Sequence, residues 1–177
     1  MKVYMDSEFT GLRQGTTLIS IGLVAESGET FYAEFNDYDE SQVDGWIEEN
    51  VISHLMFPNE RAAHHVEHSC VTMKASKEVI ADSLRAWLEV FNTNILIWSD
   101  CYAYDWVLFC ELFGGAFGVP ECVYYIPMDL STALASKGID PDISRQEFSG
   151  RTGGIQHNAL EDAQCIKACR ERLYSEE

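Results

Sequence analysis

Three strand-like runs crowd the first 35 residues, and helical and strand patterns alternate after them. This order restricts the chain to a mixed sheet flanked by helices. Residues 2–9, 17–25 and 30–35 carry the runs, and Glu26-Ser27-Gly28-Glu29 supplies a glycine-containing hairpin turn between the last two. Val43, Ile47, Val51 and Leu55 recur every four residues, which predicts a helix over 41–55. Residues 57–73 lose periodicity and read as an irregular or short-helical insert. Ser76 suits a helix N-cap, with Val79, Ile80, Leu84, Trp87, Leu88 and Phe91 on the buried side of a helix ending near 91. Ile95-Leu96-Ile97-Trp98 fits a buried strand. Residues 105–113 read as helical up to Gly114-Gly115. A last strand is expected at 123–126 and a short helix near 129–135. A flexible Ser-Gly-Arg-Thr-Gly-Gly loop at 149–154 precedes a final helix over 158–173, with Ala159, Ala163, Ile166 and Leu173 on one face. The expectation is an α/β domain with a five-stranded mixed sheet, one unit over 1–177.

Composition narrows the function. A 46% hydrophobic share supports a packed core and argues against disorder. The start lacks a signal-peptide apolar region, and the run from Val107 to Val119, broken by Glu111 and Gly114-Gly115, is too short to span a bilayer. The chain therefore reads as soluble, cytoplasmic and not membrane-bound. The six cysteines form no CxxC pair and read as reduced, packed thiols. A net charge of −17 argues against a broad, sequence-independent grip on nucleic acid, because that grip comes from Lys and Arg. It leaves room for a short binding track that depends on divalent ions, whose charge inverts the local field.

A dispersed acidic set carries the chemistry: Asp6 and Glu8 in Asp6-Ser7-Glu8, then Asp105, then His157 and Asp162. Side chains two apart on a strand share a face, so Asp6 and Glu8 can reach one ion. Taken alone, Asp-x-Glu is more often a polar strand face. Asp105 stands at a predicted strand-to-helix turn, where α/β proteins place ligands, and where Asp is also a favoured N-cap. Asp100 rivals it for the role. His157, before the last helix, has the pKa of a general base, and alone would be read as a solvated loop residue. Gathered by a fold, four carboxylates and an imidazole make a two-metal hydrolytic centre for phosphodiesters.

The order and spacing resemble the DEDDh family of 3′→5′ exonucleases, in the ribonuclease H-like superfamily. Met5-Asp6-Ser7-Glu8-Phe9-Thr10-Gly11-Leu12 is similar to its first motif, Ala103-Tyr104-Asp105 to its second and His157-Asn158-Ala159-Leu160-Glu161-Asp162-Ala163 to its third. Many members carry Asn where this chain has Asp100 or Cys101. The short length and the Ala-Tyr-Asp form are most similar to the mycobacterial-type exoribonucleases. The resemblance implies two Mg²⁺ or Mn²⁺ ions. Asp6, Glu8 and Asp162 would hold the first, and Asp6 with Asp105 the second. His157 would be the general base, and Glu8 would sense the 3′-OH. Phe9, Thr10, Gly11 and Leu12 would contact the terminal nucleotide, with Leu12 as a wedge, and Arg151 is a candidate phosphate contact. The implied substrate is the 3′ end of single-stranded RNA, with single-stranded DNA as the alternative and a homodimer compatible with the family. A different class of function, a non-catalytic acidic interaction protein on the same fold, is opposed by the intact acidic and histidine set. His64 and His68, four apart, could be offered to zinc by a helix, and read more simply as polar surface.

Overall fold

The computed structural model describes residues 1–175. Seven strands form one sheet: β1 (Lys2–Phe9), β2 (Leu18–Ala25), β3 (Thr30–Phe35), β4 (Ala63–Glu67), β5 (Cys70–Ala75), β6 (Leu96–Ser99) and β7 (Met128–Asp129). Their order is β4-β5-β3-β2-β1-β6-β7. β1, β2 and β3 pair antiparallel as the hairpin pattern predicts, whereas β6 runs parallel to β1 and β7 parallel to β6. The helices are α1 (Gly45–Asn50), α2 (Lys77–Val90), α3 (Ala103–Leu112), α4 (Leu130–Ser136), α5 (Arg145–Ser149) and α6 (Ala159–Leu173).

The count of seven corrects the expected five. The stretch read as an irregular insert is the β4–β5 hairpin, which adds to the β3 edge with β5 parallel to β3. Its turn, His68-Ser69, places both residues at positive φ, 47° and 71°. Two-residue hairpin loops of that shape usually carry Asn-Gly, so the turn has no sequence signature. The histidines consequently lie on an exposed strand and turn, not on a helix face. The helix expected over 41–55 is broken. Asp44 caps α1 by accepting from the Ile47 N–H at 2.9 Å, and short 3₁₀ turns flank it. Val79 faces solvent at 53% exposure rather than the core. The strand expected at 123–126 contributes one bridge, Val123 to Ile95, and the regular pairing lies at β7. The short α5 precedes the expected 149–154 loop, in a stretch given no element, and has no apolar periodicity to reveal it.

Strand alternation divides the core. Val3 and Met5 of β1 pack with Ile80, Leu84 and Leu88 of α2 and Phe109 of α3 on one face. Tyr4 packs with Leu130 and Leu134 of α4 and Ile166 of α6 on the other. Continuing the alternation, Asp6 and Glu8 share the α6 face and Ser7 the α3 face. α6 can lie close because β2 carries Gly22 opposite Asp6. A Cβ on Gly22 would sit 2.3 Å from the Ala159 carbonyl oxygen and 2.4 Å from the Leu160 nitrogen.

Candidate active site

Asp6 and Glu8 stand near the C-terminal end of β1, beside the end of β6, and Asp162 stands in the first turn of α6. One carboxylate oxygen from each lies within 4.8 Å of the others. Asn158 caps α6, accepting from the Glu161 N–H at 3.3 Å, while its side-chain amide donates to the His54 carbonyl at 3.2 Å. This ties the start of α6 to the segment after α1. His157 sits just before the cap in a left-handed conformation, φ 60°. Its backbone N–H donates to Asp162 at 2.9 Å, and its Nδ1 lies 4.0 Å from Glu8 Oε1. The ring is edge-on to Trp46, centroids 5.1 Å apart.

Asp105 is placed differently. It is not an N-cap: α3 begins at Ala103, and the Asp105 carboxylate is buried in the first turn. The Ser7 hydroxyl donates to one oxygen at 2.5 Å and the Ser99 hydroxyl to the other at 3.0 Å. Asp105 lines the same cleft, outside the close trio. The rival, Asp100, is taken by Arg145, whose guanidinium donates to it at 2.6 and 3.0 Å and also to the Ser131 hydroxyl and two backbone carbonyls. Arg145 lines the cleft yet neutralises Asp100, not the trio.

The electrostatics follow. Burial pushes the Asp6 carboxyl well above the usual range, and the charges of Asp105, Glu8, Asp162 and Asp100 push it further. Glu8 is pushed up to about 8 by burial and by Asp162 and Asp105. Burial raises Asp162 to about 7, against the opposing His157 N–H. It raises Asp105 to about 6, against the Ser7 and Ser99 hydroxyls. Burial lowers His157, and His54 lowers it further. The trio is an all-oxygen donor set without a neutralising cation among the described residues, which is the environment a hard divalent ion fits.

The cleft encloses about 860 Å³. Of the expected nucleotide contacts, Phe9, Gly11 and Leu12 line it, with Leu12 78% exposed. Thr10 is buried below, donating to Gln42 Oε1 at 2.6 Å and accepting from the Thr17 N–H at 2.9 Å. Arg151 does not line the cleft; it donates to Glu161 at 3.1 Å and Gln164 at 2.8 Å on the outer side of α6. Sequence reading missed Trp46, which lines the cleft at 56% exposure, and the two serines that hold Asp105. Ser7 lies inside the Asp-x-Glu motif, and alternation alone could have assigned it to the opposite face. Trp46 has no comparable signal.

The fold is similar to that of Schizosaccharomyces pombe Pop2p, solved in a Mg²⁺- and Mn²⁺-bound form, with a TM-score of 0.57 and 17% identity, covering 99% of this chain and 81% of Pop2p. Residues 1–173 match the 3′-5′ exoribonuclease Rv2179c-like domain, and the chain belongs to that family. It is 27% identical over 139 residues to the 3′-5′ exoribonuclease Rv2179c of Mycobacterium tuberculosis H37Rv, covering 78% of this chain and 76% of the relative. The match to the 3′-5′ exoribonuclease MT2234.1 of M. tuberculosis CDC 1551 has the same extent. Membership of that family makes the chain a nucleic-acid-hydrolysing enzyme, which sets aside the non-catalytic reading.

Proposed function

We propose that this chain removes nucleotides from the 3′ end of single-stranded RNA by hydrolysis with two divalent cations, Mg²⁺ or Mn²⁺. The observation that carries the reading is the Asp6, Glu8 and Asp162 trio, within 4.8 Å, beside His157 in an open cleft. RNA as the substrate rests on the family description and on the names of the mycobacterial relatives. Asp6, Glu8 and Asp162 would hold one cation, and Asp6 with Asp105 would serve the other. When bound, the cations would lower the pKa of water and neutralise the phosphate.

The chain's own residues do the rest. His157, its pKa lowered, is neutral at neutral pH and accepts the proton of the attacking water at a ring nitrogen. Trp46 steadies that ring. Leu12 and Trp46 offer the terminal base two apolar surfaces, and Phe9, stacked on Tyr104 at 5.4 Å, forms a rigid wall. The test is degradation of a 5′-labelled single-stranded RNA and its DNA counterpart with Mg²⁺, Mn²⁺ or EDTA, beside Asp6→Ala. A ladder shortening from the 3′ end of RNA, lost with EDTA and in the variant, is expected. No cleavage under any metal would remove the reading.

A further inference from the structure

A second cavity, of about 640 Å³, adjoins the cleft and shares Tyr104 with it. The loop between β1 and β2 joins the two, because Leu12 lines the cleft and the next residue, Arg13, lines the cavity. Tyr38, Tyr104 and the exposed Val107 give the cavity aromatic and apolar surface. Two cations stand at it. Arg13 is pinned by the carbonyls of Thr10 and Gln42, both at 3.1 Å, and its charge helps hold the Asp39 carboxyl below its ordinary range, without an ion pair within 4.0 Å among the described residues. Lys77 opens α2, and its ammonium meets no hydrogen-bond or ion-pair partner among the described residues; the nearby Asp37 is engaged by its backbone N–H at 2.9 Å. Asp37 and Glu111 also line the cavity and offset the two cations in number.

With 12 Lys and Arg against 29 Asp and Glu, most of this surface repels phosphate. On such a surface two cations beside an aromatic cavity that continues the cleft, even with Asp37 and Glu111 offsetting them, are a selective feature. Successive bases stack on aromatic side chains while cations follow the backbone. Building on the exoribonuclease reading, we infer that the cavity takes the 5′-ward continuation of the RNA strand whose 3′ end occupies the cleft. A base lies against Tyr38 and Val107, and a phosphate lies beside Arg13 and Lys77. The track beyond the scissile bond is short, and affinity grows with substrate length until the cavity is filled.

The experiment measures kcat and KM of the full chain on oligoribonucleotides from about two to six nucleotides, for the wild type, Lys77→Glu and Val107→Trp. An acidic first residue suits the positive end of a helix, so the first variant keeps α2, and thermal melts verify both folds. KM of the wild type is expected to fall with length. Lys77→Glu should raise KM on the longest substrate about tenfold, the size of one lost charge-assisted contact, Val107→Trp should raise it by filling the cavity, and both should leave the dinucleotide unchanged. A wild-type KM independent of length would overturn the inference alone, as would variants that change every length equally or none. A wild type that hydrolyses no RNA of any length would remove the exoribonuclease reading and this inference with it.

Discussion

His157 occupies a left-handed backbone position that costs an ordinary residue about 1–2 kcal/mol, and the conformation delivers its N–H to Asp162 and its ring to the cleft. His157→Ala should lower kcat about a hundred- to ten-thousand-fold with little change in KM, in steady-state assays on a short RNA. Divalent ions should still raise the melting temperature of that variant, because the three carboxylates remain. Unchanged turnover would end the general-base assignment. The hydroxyls on Asp105 act in the same economy of charge: they hold its carboxylate ionisable despite burial. Removing both, as Ser7→Ala with Ser99→Ala, should raise the Asp105 pKa of the metal-free protein above about 6, read from NMR titration of its carboxyl in EDTA. An unmoved titration would show that the two hydroxyls do not hold it.

At the scale of elements, the site depends on how closely α6 approaches β2. Gly22→Ala would drive a Cβ into the backbone of Ala159 and Leu160, which cannot yield as a flexible side chain would. Destabilisation of about 2 kcal/mol or more in urea is expected, with activity lost even where the fold survives, since the helix carrying Asp162 must shift. The long or strongly patterned elements were legible in the sequence: β1, the β2–β3 hairpin, α2, β6 and α6 fall within a few residues of expectation. The gathering of Asp6, Glu8 and Asp162 beside His157 was expected through the family resemblance, since each motif alone read as polar surface, cap or loop. What was not legible depends on tertiary context. The β4–β5 hairpin has a His68-Ser69 turn where Asn-Gly would announce it, and α1 is short enough that its four-residue spacing overreached. His68→Asn with Ser69→Gly should relieve the positive-φ cost and stabilise the chain by about 1 kcal/mol, read from denaturant midpoints; a loss of stability would argue against the turn geometry.

Across the whole molecule, the net charge of −17 meets an acidic centre whose carboxyls are harder to ionise folded than unfolded. The folded chain is then the better proton binder, so metal-free stability should fall as pH rises from 4.5 to about 8, the reverse of a salt-bridged carboxylate. Melts between these limits in EDTA test this, and a rise in stability would contradict it. Millimolar Mg²⁺ or Mn²⁺ should restore the melting temperature most at the alkaline end, where fewer protons compete for the ligands. The appended hairpin has a consequence of another kind. β5, β3 and β2 stand between β4 and β1, and the His68-Ser69 turn is the exposed far tip of the sheet. A fluorophore, affinity tag or surface tether grafted into that turn would lie across the sheet from the RNA. The protein thereby offers a built-in handle by which a working molecule could be immobilised and watched one nucleotide at a time.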